Sequence, residues 1–425
     1  MAEQWILDWA EELQRSLDAL DQELSAKSIY RVPKILTDVN SQAYEPQRAS
    51  FGPYHHGCLR LRPMEQHKHR ALIKFLRRIA KASKTLRDVV AAMRDVEPHL
   101  LASYDSLHIE YEEEDCSERS RFSHRDWRKE TDEFLKLMIV DGCFALEVML
   151  VEKRSAAGEQ SDYDSHDRVF GVQNKNYVFP YLKRDMLLLE NQIPLLALTT
   201  LAAIDGSGIG DVSTLIKTFY NVSSDSPDYG LADEGLKGPT VESFHILDLY
   251  RKILTDYGEY FPSYEANVQS ATKLRNAGVS FSKSNTKSFR DISFNDDVLS
   301  LPPLEIDDTT ESLLLNLMAF EGLHATAGNE VTAYAFFMNG LINTADDVAL
   351  LRSEKIIMNR VGCDVNVANM FNRITKEATL TFFKVDIQVD VNSRLNNYCK
   401  KRKGCIGAGR ALWRHILRIF ESSPH

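Results

Sequence analysis

The chain is expected to be mainly α: a large helical domain with a small β-hairpin near 289–301. Two observations carry this. Long segments repeat apolar residues at three- and four-residue steps, the period of a helix with one buried face. From Phe289 the pattern changes: Phe289, Ile292 and Phe294 precede Asn295-Asp296-Asp297, and Val298, Leu299 and Leu301 follow. That is two short apolar runs around turn residues, which is a hairpin signal.

In chain order, Trp5, Leu13, Leu17, Leu20 and Leu24 predict an amphipathic N-terminal helix within 1–27. Residues 28–62 are broken by Pro33, Pro46, Gly52, Pro53 and Gly57, so they read as irregular. Pro63 suits the first turn of a helix, where its missing N–H costs nothing. That helix carries Leu72, Phe75, Leu76 and Ile79, and a second runs from Thr85 to Leu101. Residues 126–151 become apolar on most faces, as a central core helix does. A further helix is expected from Tyr181 to Ala203, kinked or split at Pro194, because proline removes a donor. Residues 242–258 return to helix, Pro302-Pro303 ends the hairpin, and Thr309 or Thr310 opens a helical series reaching about Arg394. Segments near 105–125, 152–176 and 205–240 are polar or rich in Gly, Ser and Asp, and read as flexible insertions.

The 425 residues, 44% hydrophobic and 26% charged, can bury a core without disulfide or metal support. A formal charge of −10 argues against nucleic acid as a partner through a generally basic surface. The cysteines Cys58, Cys116, Cys143, Cys363, Cys399 and Cys405 lie far apart and read as reduced thiols. The start lacks the basic and apolar regions of a signal peptide. The most apolar run, Phe134–Val151, is interrupted by Lys136, Asp141 and Glu147, and falls short of the roughly 20 apolar residues of a membrane span.

His55, His56, Glu65 and His69 are the candidate metal ligands. Glu65 and His69 share a helix face at a four-residue spacing, and the preceding loop supplies a third donor in His55 or His56. The spacing matches no standard zinc pattern. The plainer expectation is that Tyr54, His55 and His56 pack the loop onto the core while His67 and His69 face solvent; no cofactor is expected. Asp141, Glu190 and Asn191 fall inside apolar segments. Burying a charge is costly unless it is paired, and Arg184, Lys183 and Arg31 are the candidate partners. Paired carboxylates could also act as acid and base, but a network joining core helices is the expectation. Gly206-Ser-Gly-Ile-Gly210 lacks the Lys-Ser/Thr ending of a phosphate loop, and no Gly-x-Ser-x-Gly is present. Lys400, Lys401, Arg402, Lys403 and Arg410 form a basic stretch suited to anionic headgroups or to simple solvation. Asn221-Val222-Ser223 is a glycosylation sequon.

Ser28–Pro33, Gly52–Gly57, Met64–Lys68, Met138–Phe144, Arg184–Pro194, Ala271–Gly278, Leu301–Leu304 with Thr310–Ser312, and Leu341–Val348 together resemble the plant domain-of-unknown-function 247 family, also called uncharacterised protein family 0481. The blocks follow the family order over 28–420. The resemblance implies a single family domain and association with a membrane, the plasma membrane, through a C-terminal helix that would begin near 421–425 and is absent from this chain. The chain as given is expected to be soluble. Members at grass self-incompatibility loci imply a non-enzymatic recognition or signalling role, as a pollen-side determinant with a protein partner such as a small secreted plant protein. The alternative is a divalent-metal enzyme at His55, His56, Glu65 and His69. Membrane remodelling by the N-terminal helix and the basic C-terminus is a third. Oligomeric state is left open.

Overall fold

The computed structural model describes residues 26–110, 124–159, 163–205, 211–221, 243–256, 268–378 and 393–402, together with Trp9 and Val391. The expected N-terminal helix and the acidic run 111–115 lie almost wholly outside these residues. Helices dominate, as expected, and the sheets are short. The chain forms two compact units: residues 1–223 with 235–250, and residues 224–234 with 251–425.

The first unit opens with two short helices, α1 (Lys34–Thr37) and α2 (Ser41–Tyr44), and a 3-10 turn, Leu59–Leu61. Then come α3 (Arg62–Ala80), α4 (Leu86–Ala102), the strands β1 (His108–Glu110) and β2 (His124–Asp126), α5 (Thr131–Ala156), α6 (Val172–Asp185), α7 (Leu195–Asp205) and α8 (Val212–Phe219). β1 and β2 pair antiparallel, Ile109 opposite Arg125.

Helix α5 is the axis of this unit. It runs 26 residues and buries Phe134, Met138, Phe144, Leu146 and Met149, each contributing roughly 1.5–3 kcal/mol on leaving water. α3, α4, α7 and α8 pack around it. Gly142 explains the close approach of α7: a Cβ there would meet Leu201 Cδ1 at 2.5 Å. α3 carries its proline in the first turn. α4 starts on a capping box, in which Thr85 and Asp88 satisfy each other's backbone N–H.

The helix expected over 181–203 is two helices. α6 begins earlier, at Val172, and ends at Asp185; α7 starts at Leu195. Between them, 186–194 is a buried, non-helical segment rather than a kink at Pro194. The physical reason lies in Asp185, Asn191 and Gln192, whose side chains bond to backbone outside the helix and so compete with helical pairing. The stretch 152–176, expected to be a flexible insertion, contains the last turn of α5 and the start of α6. Between them Asp167 closes a turn on the N–H groups of Val169 and Phe170.

Helix α9 (Ile246–Thr255) is divided between the units at Tyr250. The second unit contains α10 (Ala271–Asn276), β3 (Ser280–Lys283), β4 (Ser293–Asn295), β5 (Val298–Leu301), β6 (Leu304–Ile306), α11 (Thr310–Leu323), α12 (Glu330–Leu341), α13 (Ala345–Ser353), β7 (Ile357–Asn359) and α14 (Asp364–Ala378), with further helix in 393–402. The expected hairpin is β4–β5, with Phe294 opposite Leu299. Its turn residues Asp296 and Asp297 have φ of 48° and 64°; two left-handed residues make the turn that matches strand twist. A third strand not foreseen, β3, pairs parallel to β5, and β6 pairs parallel to β7. Inside the unit, Arg251 is buried between Glu321 and Glu330, and Glu321 also receives the Val331 and Thr332 N–H groups at the start of α12.

Candidate functional site

Three residues that sequence analysis singled out, Asp141, Glu190 and Asn191, act at one place, where the segment 28–54 lies against 185–192. Five backbone N–H groups of that segment, those of Gln47, Arg48, Ala49, Phe51 and Gly52, have no strand to pair with. Side chains take them instead. Asp185 accepts from Gln47 at 2.9 Å, Arg48 at 2.6 Å and Ala49 at 3.0 Å. Asn191 Oδ1 accepts from Phe51 at 2.7 Å, and its Nδ2 donates to the carbonyls of Ala49 and Asp185. Asp141, reaching from α5, accepts from Gly52 at 2.9 Å. A buried backbone donor without a partner is costly, so these three side chains decide where the segment can lie.

Asp141 has a second partner that sequence reading missed. Lys68 Nζ lies 2.7 Å from Asp141 Oδ1, 2.8 Å from Glu65 Oε1 and 3.1 Å from Ser50 Oγ. Those are all the bonds an ammonium can donate, and both Lys68 and Asp141 are fully buried. Burial pushes the Asp141 carboxyl up to about 6, with Lys68 and the Gly52 N–H opposing it. The signal was available: Met64, Lys68, Ala71, Phe75 and Ile79 form the buried face of α3, so Lys68 is a charge placed on an apolar stripe.

Of the expected partners, Arg31 meets Glu190, at 3.3 Å. Glu190 also accepts from the Val32 N–H at 2.6 Å. Burial raises its carboxyl, offset first by Arg31. Arg184 lies next to Asp185 at 3.2 Å and donates to the carbonyls of Glu45 and Gln42, so it does not pair with Asp141 or Glu190. Lys183 pairs instead with Glu152 at 3.3 Å. Gln192 Nε2 closes the loop on the carbonyls of Met186 and Leu188, while Tyr104 donates to its backbone carbonyl at 3.0 Å. Gly52, at φ 73°, sits so close to Gln192 that a Cβ would lie 2.5 Å from its carbonyl oxygen. A side chain is excluded there by both space and backbone conformation.

The histidines take separate places. His55 is mostly covered, with Nε2 at 3.6 Å from Glu190 Oε2, beyond a hydrogen bond. Burial pushes it down to about 3, assisted by Arg31 and Arg60. His56 packs edge-on against the buried Trp127 at 5.5 Å, and burial, followed by the nearby Lys68, pushes it down to about 4. His69 is exposed, its Nδ1 2.8 Å from the Glu65 carbonyl oxygen one turn earlier. His67 is half-buried. Among the described residues no three His, Cys, Asp or Glu side chains come together as a metal-ligand set, so His55, His56, Glu65 and His69 are not brought together as one.

Chemically, the arrangement holds backbone through buried acids and amides. Lys68 and Asp141 are sealed, and burial raises the Cys143 thiol far above its usual range, which makes it a poor nucleophile. Cys58 is half-buried. Lys400, Lys401 and Arg402 end the described C-terminal helix and are all exposed, Arg402 lying 3.8 Å from Asp297; Lys403 and Arg410 lie outside the described residues. Asn221 is exposed in a left-handed turn after α8, φ 51°; its sequon serine lies outside the described residues. No helix among the described residues is long and apolar enough to cross a membrane.

A family model described as a plant protein of unknown function, DUF247, matches residues 29–421. UPF0481 protein At3g47200 of Arabidopsis thaliana is 30% identical over 413 residues, covering 90% of this chain and 79% of that protein. Putative UPF0481 protein At3g02645, also of Arabidopsis thaliana, is 21% identical over 475 residues, covering 89% and 83% respectively. No solved structure matches the chain.

Proposed function

This chain belongs to the plant DUF247 family, and from that premise we propose that it is a non-enzymatic recognition or signalling protein acting through protein–protein contact. One observation supports this above others. The acids and amides of the family blocks, Asp141, Asp185, Glu190 and Asn191, are engaged with backbone N–H groups of the segment 28–54. An active site needs titratable groups facing a space a substrate can enter. Here those groups fasten one part of the chain to another.

Within this class the sharpest version is a pollen-side self-incompatibility determinant that recognises a small secreted protein. Specificity then resides in the exposed positions of the segments 105–125, 152–176 and 205–240, none of which supplies Asp141, Asp185, Glu190 or Asn191. The same proposal places the protein at the plasma membrane, with Lys400, Lys401 and Arg402 toward anionic headgroups. The test is an exchange of those three segments between two family members with different partners. Partner choice should follow the segments; partner choice that stays with the helical frame would refute the proposal.

A further inference from the structure

The exposed face of α3 is cationic in an acidic protein. Arg62, Gln66, His69, Arg70, Ile73, Arg77 and Lys81 are all exposed and fall at helical steps along that face. The turn that follows adds Lys84, and the first turn of α4 adds Leu86 and Arg87. No aspartate or glutamate interrupts this exposed row on α3. Glu65 is turned onto the buried Lys68, and Asp88 is held by Thr85 at the start of α4. Arg70 reaches Asp167. Arg77, Lys81 and Arg87 meet no carboxylate among the described residues.

Placing like charges four residues apart on a helix, as at Arg77 and Lys81, is unfavourable by a few tenths of a kcal/mol. A chain with a net charge of −10 has carboxylates to spare, yet among the described residues only Arg70 of this row meets one. Ile73 and Leu86 are each 48% exposed within it. A soluble anion gives those two side chains nothing to bury against, and a purely acidic peptide gives no more. A lipid surface does: apolar residues enter between headgroups while lysine and arginine meet the phosphates. The face is also the convex outer side of a helix, which suits a plane better than a strand or peptide needing a groove.

We propose that the outer face of α3, with the turn into α4, docks on a bilayer containing anionic lipid. It is independent of the basic residues at 400–402 and shares with the function proposed above only a membrane location. The charge of the rest of the molecule would then favour this face turning toward the membrane.

The test is co-sedimentation of the full chain with vesicles of phosphatidylcholine containing a third phosphatidylserine, beside phosphatidylcholine alone. The proposal predicts binding to the anionic vesicles only, weakening as salt is raised. Arg77→Gln with Lys81→Gln should lower partitioning about thirtyfold, from the known attraction per basic residue near such a surface. Ile73→Ser should lower it further, in a chain that keeps Lys400 and Lys401. These are surface substitutions, and unchanged circular dichroism melting confirms that the variants fold. Three results would each overturn the proposal: no binding to anionic vesicles; binding that survives the α3 changes but is lost with Lys400→Gln and Lys401→Gln; or binding to a poly-glutamate peptide in place of vesicles.

Discussion

The Lys68–Asp141 pair and the His55–His56 pair show how single side chains set stability here. Removing one member of a buried ion pair leaves a bare charge and costs about 3–5 kcal/mol. Asp141→Ala and Lys68→Met should each show a loss of that order in urea unfolding. The double change Asp141→Ala with Lys68→Met should cost clearly less than the two singles added together. Simple additivity would mean the two do not act as a pair. The histidines predict the acid limb. Folded His55 and His56 sit at about 3 and 4 against an unfolded 6.5. Their contribution is whole above pH 6.5 and is lost as pH falls toward those values, since the unfolded chain binds the protons first. Asp141 works the other way: raised to about 6 from 3.8, it favours the fold most below pH 3.8, and that contribution declines as pH climbs to 6. Burial raises Glu190, Asp185 and Glu321 as well, and they act in the same sense as Asp141, so the histidines' own part, a fall in stability from pH 6.5 to 4, is read as the difference between the parent and a variant without them. His55→Asn with His56→Asn should flatten that fall in a pH series of urea midpoints.

At the scale of elements, what was legible depended on whether a residue's partner was near in sequence. The apolar stripes placed α3, α4 and α5, and Asn295-Asp296-Asp297 placed the β4–β5 turn, because helices and tight hairpins are local. β3 was not legible: Ser280-Phe-Ser-Lys283 has a single buried residue, Phe281, and its pairing with β5 is parallel and non-local. Pro194 marked a break, but its extent, 186–194, follows from Asp185 and Asn191 bonding to residues more than 130 positions away. The paired positions Arg31–Glu190 could be named in advance; Lys68–Asp141 required noticing a lysine on an apolar stripe. The hairpin turn gives an element-scale prediction. Asp297 occupies a left-handed position, φ 64°, that glycine adopts without strain. Asp297→Gly should raise stability by up to about 1 kcal/mol, and a loss of stability would show that the Asp297 side chain matters more than its backbone.

At the scale of the whole molecule, Asp141, Asp185, Glu190 and Asn191 act as frame, and the proposed recognising surface lies outside them. Groups kept for catalysis or binding are commonly destabilising, so neutralising them tends to raise stability; groups kept as frame do the opposite. Asp185 distinguishes the two cases most cleanly, because it holds the segment 47–49 by three N–H groups and its near-isosteric amide cannot. Whichever way the Asp185→Asn amide turns, its NH2 group faces two donors: the Arg48 and Ala49 N–H groups on the Oδ2 side, or the Gln47 N–H and the Arg184 guanidinium on the Oδ1 side. Each orphaned donor costs about 1–3 kcal/mol. The measurement to make is the urea unfolding free energy of Asp185→Asn against the parent chain at pH 7. The account predicts a loss of at least about 2 kcal/mol. A variant as stable as the parent, or more stable, would contradict it and mark Asp185 as a carboxylate held for function.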